Sequence, residues 1–322
     1  MAEDAKSVST YADAVRAGMD AGLAASGGMN ADYIPYLASI DPNLMSVAIV
    51  TAGGEVHKAG DHDYGFAIES ISKVFTLALV MDAIGPDEVR DKIGDSPTGL
   101  PFNSVMALEL NNDKPLSPLV NAGAIATVSL VPGESADDCF GKILACQSAF
   151  AGRPLTMSDE INTSEQSTNF HNRAIAWLLF SAGTCYSDPM RAVDVYTRQC
   201  STLVSTLDLA TMGSTLAAGG VNPLSGKRVI KEAYVHHVLA EMMMEGLYTG
   251  SGDWAYTVGL PGKSGVGGGV LAIAPGKLAI AAFSPGLDPA GNSVRGQAAV
   301  KAAALSLGLN LFRGASEGGT GT

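Results

Sequence analysis

Tyr64-Gly65-Phe66-Ala67-Ile68 reads as a strand, and just beyond it Ser70-Ile71-Ser72-Lys73 opens a run, Ile71 to Met81, that is apolar almost all round. Such a run predicts a buried helix. A helix sets residues three apart on one face, which brings the Lys73 amine within reach of the Ser70 hydroxyl. Burial disfavours the charged form of a lysine and lowers its pKa. A neutral lysine beside a serine at a helix start is a base next to a nucleophile. Taken alone, the tetrapeptide reads more simply as a capping serine followed by a solvent-facing lysine.

A second stretch reverses that weighting. Gly262-Lys263-Ser264-Gly265-Val266-Gly267-Gly268-Gly269 leads into the apolar Val270–Ala274, a Pro275-Gly276 turn and a second apolar strand through Phe283, which together predict a hairpin. Penicillin-recognising enzymes combine an early S-x-x-K with a late K-T-G on an edge strand, and Lys263-Ser264-Gly265 is a close variant in the right order. The glycines let a substrate approach the backbone, so that strand N–H groups face a developing oxyanion. A phosphate loop is excluded, because a Walker A match needs glycine where Thr257 stands. The G-x-S-x-G of esterases is excluded by Val266. Two motifs in this order favour a serine–lysine acyl-transfer enzyme.

Composition sets bounds on that reading. The 322 residues are 47% hydrophobic and 16% charged, which describes a compact globular protein with a large core. A net charge of -12 argues against nucleic acid and anionic membrane surfaces as partners. No apolar run approaches membrane-spanning length and Met1–Thr10 lacks an apolar signal core, so a cytoplasmic location is expected. Cys139, Cys146, Cys185 and Cys200 show no C-x-x-C spacing, and His236-His237 make no H-E-x-x-H motif. Neither a metal site nor an organic cofactor is expected.

Strand signals gather at both chain ends and helical signals in the middle. A helix is expected over Thr10–Ala25, and Met45–Ala59 reads as two strands joined at Gly53-Gly54. Helices are expected over Leu119–Val131, Asn172–Ala182, Pro189–Cys200, Leu207–Ala218, Arg228–Glu245 and Ser293–Leu307. The expected domain is a single catalytic one over 1–312. Its α/β part covers about 1–69 and 225–312, its helical part about 70–224, and a disordered tail follows over 313–322.

The chain resembles the bacterial glutaminases of the serine-dependent β-lactamase-like superfamily, from about Asp32 to Phe312. The residues that carry the resemblance begin with Asp32-Tyr33-Ile34-Pro35, Ser70-Ile71-Ser72-Lys73-Val74-Phe75 and Leu119-Val120-Asn121-Ala122-Gly123-Ala124-Ile125. They continue with Ser164-Glu165, Asn172, Tyr196 four before Cys200, and Leu216–Pro223. The last are Gly259–Val266, Ser284-Pro285 and Asn292-Ser293-Val294. The resemblance implies an α/β fold of the β-lactamase/transpeptidase type, a mostly antiparallel sheet flanked by helices with an inserted all-helical subdomain.

It also implies hydrolysis of L-glutamine to L-glutamate and ammonia. Ser70 would attack the carboxamide carbon, with Lys73 accepting its proton and Tyr248 relaying one to the leaving ammonia. The N–H groups of Ser70 and Val266 would form the oxyanion hole, and Lys263, Ser264 and Gly265 would support them. Glu165 would pair the substrate ammonium. Tyr33, Asn121, Asn172 and Tyr196 would serve its carboxylate and carboxamide, alongside Ser70, Tyr248 and Val266. Each of these residues also has a structural reading as a cap, a core aromatic or a solvated glutamate. Two positions depart from the family pattern: Tyr36 stands where glutamine is usual and His171 where arginine is frequent. A homodimer or homotetramer is expected. The alternatives are a β-lactam-recognising serine acyl-transferase, an acylating sensor, or an amino-acid binding protein, which would have no use for Lys73 beside Ser70.

Overall fold

A computed structural model describes residues 10–313 of the chain. The central element is a five-stranded antiparallel sheet in the order β2-β1-β8-β7-β6. Its strands are β1 (Ser46–Thr51), β2 (Val56–Gly60), β6 (Gly262–Ser264), β7 (Gly269–Ala274) and β8 (Leu278–Phe283). The expected hairpin is present, with Gly269 opposite Phe283 and Ala274 opposite Leu278. Strands from both chain ends meet where β1 pairs with β8, Ser46 opposite Phe283. A small second sheet, β3-β5-β4, joins β3 (Phe66–Ala67), β4 (Thr156–Met157) and β5 (Thr202–Val204).

The apolar strands β1, β7 and β8 are buried at every position because both sheet faces are covered. Side chains alternate between faces. Val47, Ile49, Val270, Ala272, Ile280 and Ala282 pack under α1 (Tyr11–Ala24) and, at the far end of the chain, the helix Val294–Ser306. Ala48, Val50, Leu271, Ile273, Ala279 and Ala281 face the helical half of the molecule.

That half begins with α2 (Pro35–Ala38), α3 (Ser72–Ile84), α4 (Pro86–Lys92), α5 (Met106–Leu110) and α6 (Asn121–Ser129). It continues with α7 (Ala136–Ala151), α8 (Asp159–Thr168), α9 (Phe170–Ser181) and α10 (Pro189–Cys200). Then come α11 (Thr206–Ala217), α12 (Glu232–Glu245) and α13 (Ser251–Thr257), with Val294–Ser306 as α14. The long helix α7 and its successor α8 were not foreseen.

Helix α11 falls in the stretch read as the helical part, yet it lies across β1, β7 and β8 and forms one layer of the sheet sandwich. Gly213 permits this approach, since a Cβ there would come within 2.6 Å of Leu271 and 2.8 Å of Ala279. Arg228–Glu245 is not one helix. Arg228 bridges to Val221 in extended form and α12 starts only at Glu232. The tail beyond Arg313 lies outside the described residues.

Candidate active site

Ser70 does not cap a helix. It sits in a 3-10 turn, Glu69–Ile71, and α3 starts after it at Ser72. The residue before it, Glu69, takes the left-handed backbone region (φ 52°), and Tyr248 does the same (φ 55°). Side chains rarely adopt that region, at about 1–3 kcal/mol each, and persist there only where the surroundings hold them. Here the surroundings are glycines. A Cβ on Gly265 would come within 2.9 Å of the Ile68 carbonyl, and one on Gly267 within 2.5 Å of the Ala67 carbonyl. The β6–β7 turn thus closes directly over the segment that carries Ser70.

Lys73 is fully buried. Burial pushes its pKa down to about 8, against the opposing pull of Cys200 and Glu69. Its amine donates to Asn121 Oδ1 at 2.7 Å and reaches the Leu119 carbonyl at 3.5 Å. Asn121 holds two partners in turn: the Tyr196 hydroxyl donates to its Oδ1 at 3.1 Å, and its Nδ2 donates to Asn172 Oδ1 at 3.0 Å. Lys73, Asn121, Tyr196 and Asn172 therefore form one connected network across α3, α6, α10 and α9.

The Tyr248 phenol lies within hydrogen-bonding reach of Ser70, and burial raises its pKa. Its hydroxyl also approaches the Ser264 carbonyl at 3.4 Å. Lys263 lies behind it, 4.0 Å from the ring centroid, donating to the carbonyls of Gly246 (2.9 Å) and Ser264 (2.8 Å). Burial, followed by the charge of Lys73, lowers the Lys263 pKa strongly. Ser264 donates to Asn292 Oδ1 at 2.5 Å, and Asn292 reaches back to the Leu247 carbonyl at 3.2 Å. Among the described residues the Val266 N–H has no hydrogen-bond partner within its turn.

A cavity of about 200 Å3 opens beside this cluster. Four of the residues expected to bind substrate line it: Tyr33, Asn121, Glu165 and Asn172. Ser70, Tyr196, Tyr248 and Val266 are not part of that lining; Tyr196 joins it through its bond to Asn121 and Tyr248 through its ring contact with Phe102 at 4.7 Å. Tyr33 is half exposed at the mouth. Tyr36 packs beneath the Tyr33 loop, its backbone N–H on Ser164. His171 meets the Asn103 carbonyl at 2.6 Å and so ties down the loop that carries Phe102.

One acidic residue escaped the sequence reading. Glu69 is buried, and its carboxyl faces that of Glu165. Burial raises the pKa of both, and the charge on Glu69 raises that of Glu165 further. Glu165 also accepts from the Ser201 hydroxyl at 3.1 Å. The available signal was an acid standing between two apolar segments directly before Ser70.

The glutaminase family model matches residues 28–312. This chain belongs to the glutaminase family. It is 69% identical to a glutaminase of Brucella canis over 309 residues, covering 95% of this chain and 98% of that relative. A solved structure described as a probable glutaminase superposes with a TM-score of 0.93 at 62% identity, covering 94% of this chain and 98% of the other. A probable glutaminase from Bacillus subtilis, complexed with 6-diazo-5-oxo-L-norleucine, superposes with a TM-score of 0.83 at 28% identity over 97% and 98% of the two chains. The α/β architecture with its antiparallel sheet is the β-lactamase-like fold that the resemblance implied. No helix among the described residues is long and apolar enough to cross a membrane.

Proposed function

We propose that this chain hydrolyses L-glutamine to L-glutamate and ammonia through a glutamyl ester on Ser70. The observation that carries the reading is the position of Ser70. It precedes the buried Lys73 by three residues and lies within reach of the buried Tyr248, beside a cavity whose wall holds one acid, Glu165, and four asparagines. The Bacillus subtilis relative binds 6-diazo-5-oxo-L-norleucine. That compound keeps the amino-acid end of glutamine and presents an electrophilic carbon near where the carboxamide would be.

In this mechanism the neutral Lys73 amine takes the Ser70 proton as Oγ attacks the carboxamide carbon. The oxygen of the tetrahedral intermediate is stabilised by the N–H groups of Ser70 and Val266. Tyr248 passes a proton to the departing ammonia and takes back the one held by Lys73, which leaves the amine neutral again. Water then attacks the ester, Lys73 accepts the water proton, and glutamate leaves with Ser70 restored. Glu165 pairs with the substrate ammonium, while Asn121, Asn172, Tyr33 and Tyr196 hold the polar groups around it. Lys263, Ser264 and Gly265 keep the β6 edge and Tyr248 in register. Exposed Trp177, Leu178 and Phe180 on α9 support the expectation of a homodimer or homotetramer.

The test is ammonia release from L-glutamine, with L-asparagine as control, by the wild type and by Ser70→Ala. Release from glutamine should fall by at least about a thousandfold in the variant. Equal release by both proteins would remove Ser70 as nucleophile.

A further inference from the structure

Glu69, Glu165 and Cys200 come from three separate parts of the fold: the turn before α3, helix α8 and the last residue of α10. One carboxylate oxygen from each glutamate and the Cys200 sulfur all lie within 4.8 Å of one another. Glu69 and Cys200 are buried, while Glu165 lines the substrate cavity and leaves a route in. A second observation is independent of this proximity. Among the described residues Glu69 Oε1 is buried without a hydrogen-bond partner, although Glu165 has the Ser201 hydroxyl. An acceptor removed from water and left unpaired is costly, and a cation is the partner that would satisfy it. The sulfur makes only a long contact, 3.8 Å, with the Ser72 hydroxyl.

We propose that Glu69, Glu165 and Cys200 form a binding site for a thiophilic divalent cation, of which Zn2+ and Cd2+ are the representatives, that excludes substrate from the cavity. The sulfur decides the class of metal. Mg2+ and Ca2+ take oxygen ligands, whereas thiolate with carboxylate suits zinc and cadmium. Zinc binds sulfur at about 2.3 Å and carboxylate oxygen at about 2.0–2.2 Å, so tetrahedral donors stand roughly 3.5 Å apart. From separations of up to 4.8 Å the three donors reach that spacing by closing at most about 1.3 Å. As the metal–sulfur bond forms, the thiol proton passes to water, and any proton held by the carboxyl pair leaves the same way. Three anionic donors around a dication leave one negative charge, opposite Lys73. The fourth coordination position faces the cavity and takes water. This metal is a competitor and has no part in the proposed reaction.

Cd2+ added to the wild-type protein should produce the ultraviolet sulfur-to-cadmium charge-transfer band with one ion bound per chain. Cys200→Ala should abolish the band, and Glu69→Gln should weaken Cd2+ binding at least tenfold. Cys146→Ser, which alters a cysteine on a different face of the core, should bind as the wild type does. Thermal unfolding of each variant checks the fold, and Glu69→Gln carries the test if Cys200→Ala is unstable. A band that survives in Cys200→Ala, or that vanishes in Cys146→Ser, would overturn the site.

Competition with substrate rests on the assignment of Glu165 to the ammonium and has its own readout. Cd2+ should raise the KM for L-glutamine and leave kcat unchanged. Cd2+ that binds through Cys200 without raising KM would leave the metal site standing, but would refute both the exclusion of substrate and the role of Glu165.

Discussion

Lys73, Lys263, Glu69, Tyr196 and Tyr248 are buried and Glu165 half-buried in the candidate site, and each is legible to a different degree. Lys73 was read from spacing alone, because three residues along a helical turn fix which side chains are neighbours. Its low pKa followed from the apolar run behind it. Glu165 was identified only through resemblance, since nothing local distinguishes it from Glu160 at the start of the same helix. Glu69 was missed, because what makes it unusual is contact with Glu165 across 96 positions of chain. Replacing Glu165 by Gln removes the charge proposed to pair with the substrate ammonium, while keeping the volume and the acceptor for Ser201. A hydrogen bond to a charged group is worth about 1.5–3 kcal/mol, so the KM for glutamine should rise roughly ten- to a hundredfold. Steady-state kinetics checks this, and a KM equal to that of the wild type would take Glu165 out of the ammonium role.

Elements were legible in proportion to how far their periodicity was self-contained. Strands β7 and β8 stood out as short apolar runs around Pro275-Gly276, because burial on both faces leaves no polar alternation. Helix α7 carried signals that went unread: Ser135 accepts from the Asp138 N–H at its start, and Gly152 ends it in the left-handed region. The start of α12 was misplaced because Arg228 and Val229 pair back to Val221 and Gly220, a contact that competes with helix extension. Helix α11 was found, but its partner was not. That partner is the sheet, and Gly213 is the point of closest approach. Gly213→Val should cost about 1–3 kcal/mol by overpacking against Ala279, lowering Tm by several degrees. Gly141→Ala is the control, on an exposed stretch of α7 with open space around the position. It should be neutral or stabilising by up to about 1 kcal/mol. Equal Tm values for Gly213→Val and the wild type would show that the α11–sheet contact yields without cost.

For the whole molecule, buried acids dominate the response of stability to pH. Burial raises Glu241 to about 8 and raises Glu69, Glu165 and Glu245 as well. A carboxyl whose folded pKa exceeds its unfolded value binds its proton more tightly in the native state. The native state is therefore favoured at low pH, and that contribution is lost as pH rises from roughly 4.5 to roughly 8. Lys73 acts in the opposite direction above about 8, where the unfolded chain still binds a proton that the native state has released, and Lys263, whose pKa burial lowers strongly, opposes the carboxyls in the same way. The net charge of -12 adds self-repulsion that also grows with pH. Tm should accordingly fall between about pH 5.5 and pH 7.5, and Glu241→Gln should flatten the slope. A Tm that climbs over that interval would show that these carboxyls ionise freely in the native state.

The fold class, the expectation of a serine–lysine pair and the glycine-lined strand were legible without the structure. Each of these is written in local spacing and in residue types with few alternative uses. Tertiary structure alone decided what depends on distant segments meeting in a place from which water is excluded. It set Asn121 between Lys73, Tyr196 and Asn172, and turned Glu69 against Glu165 and Cys200. It also laid α11 across the sheet. The physical reason is desolvation. A carboxyl, thiol or amine has an ordinary character along an extended chain, and acquires another only when the fold removes its water and chooses its neighbours.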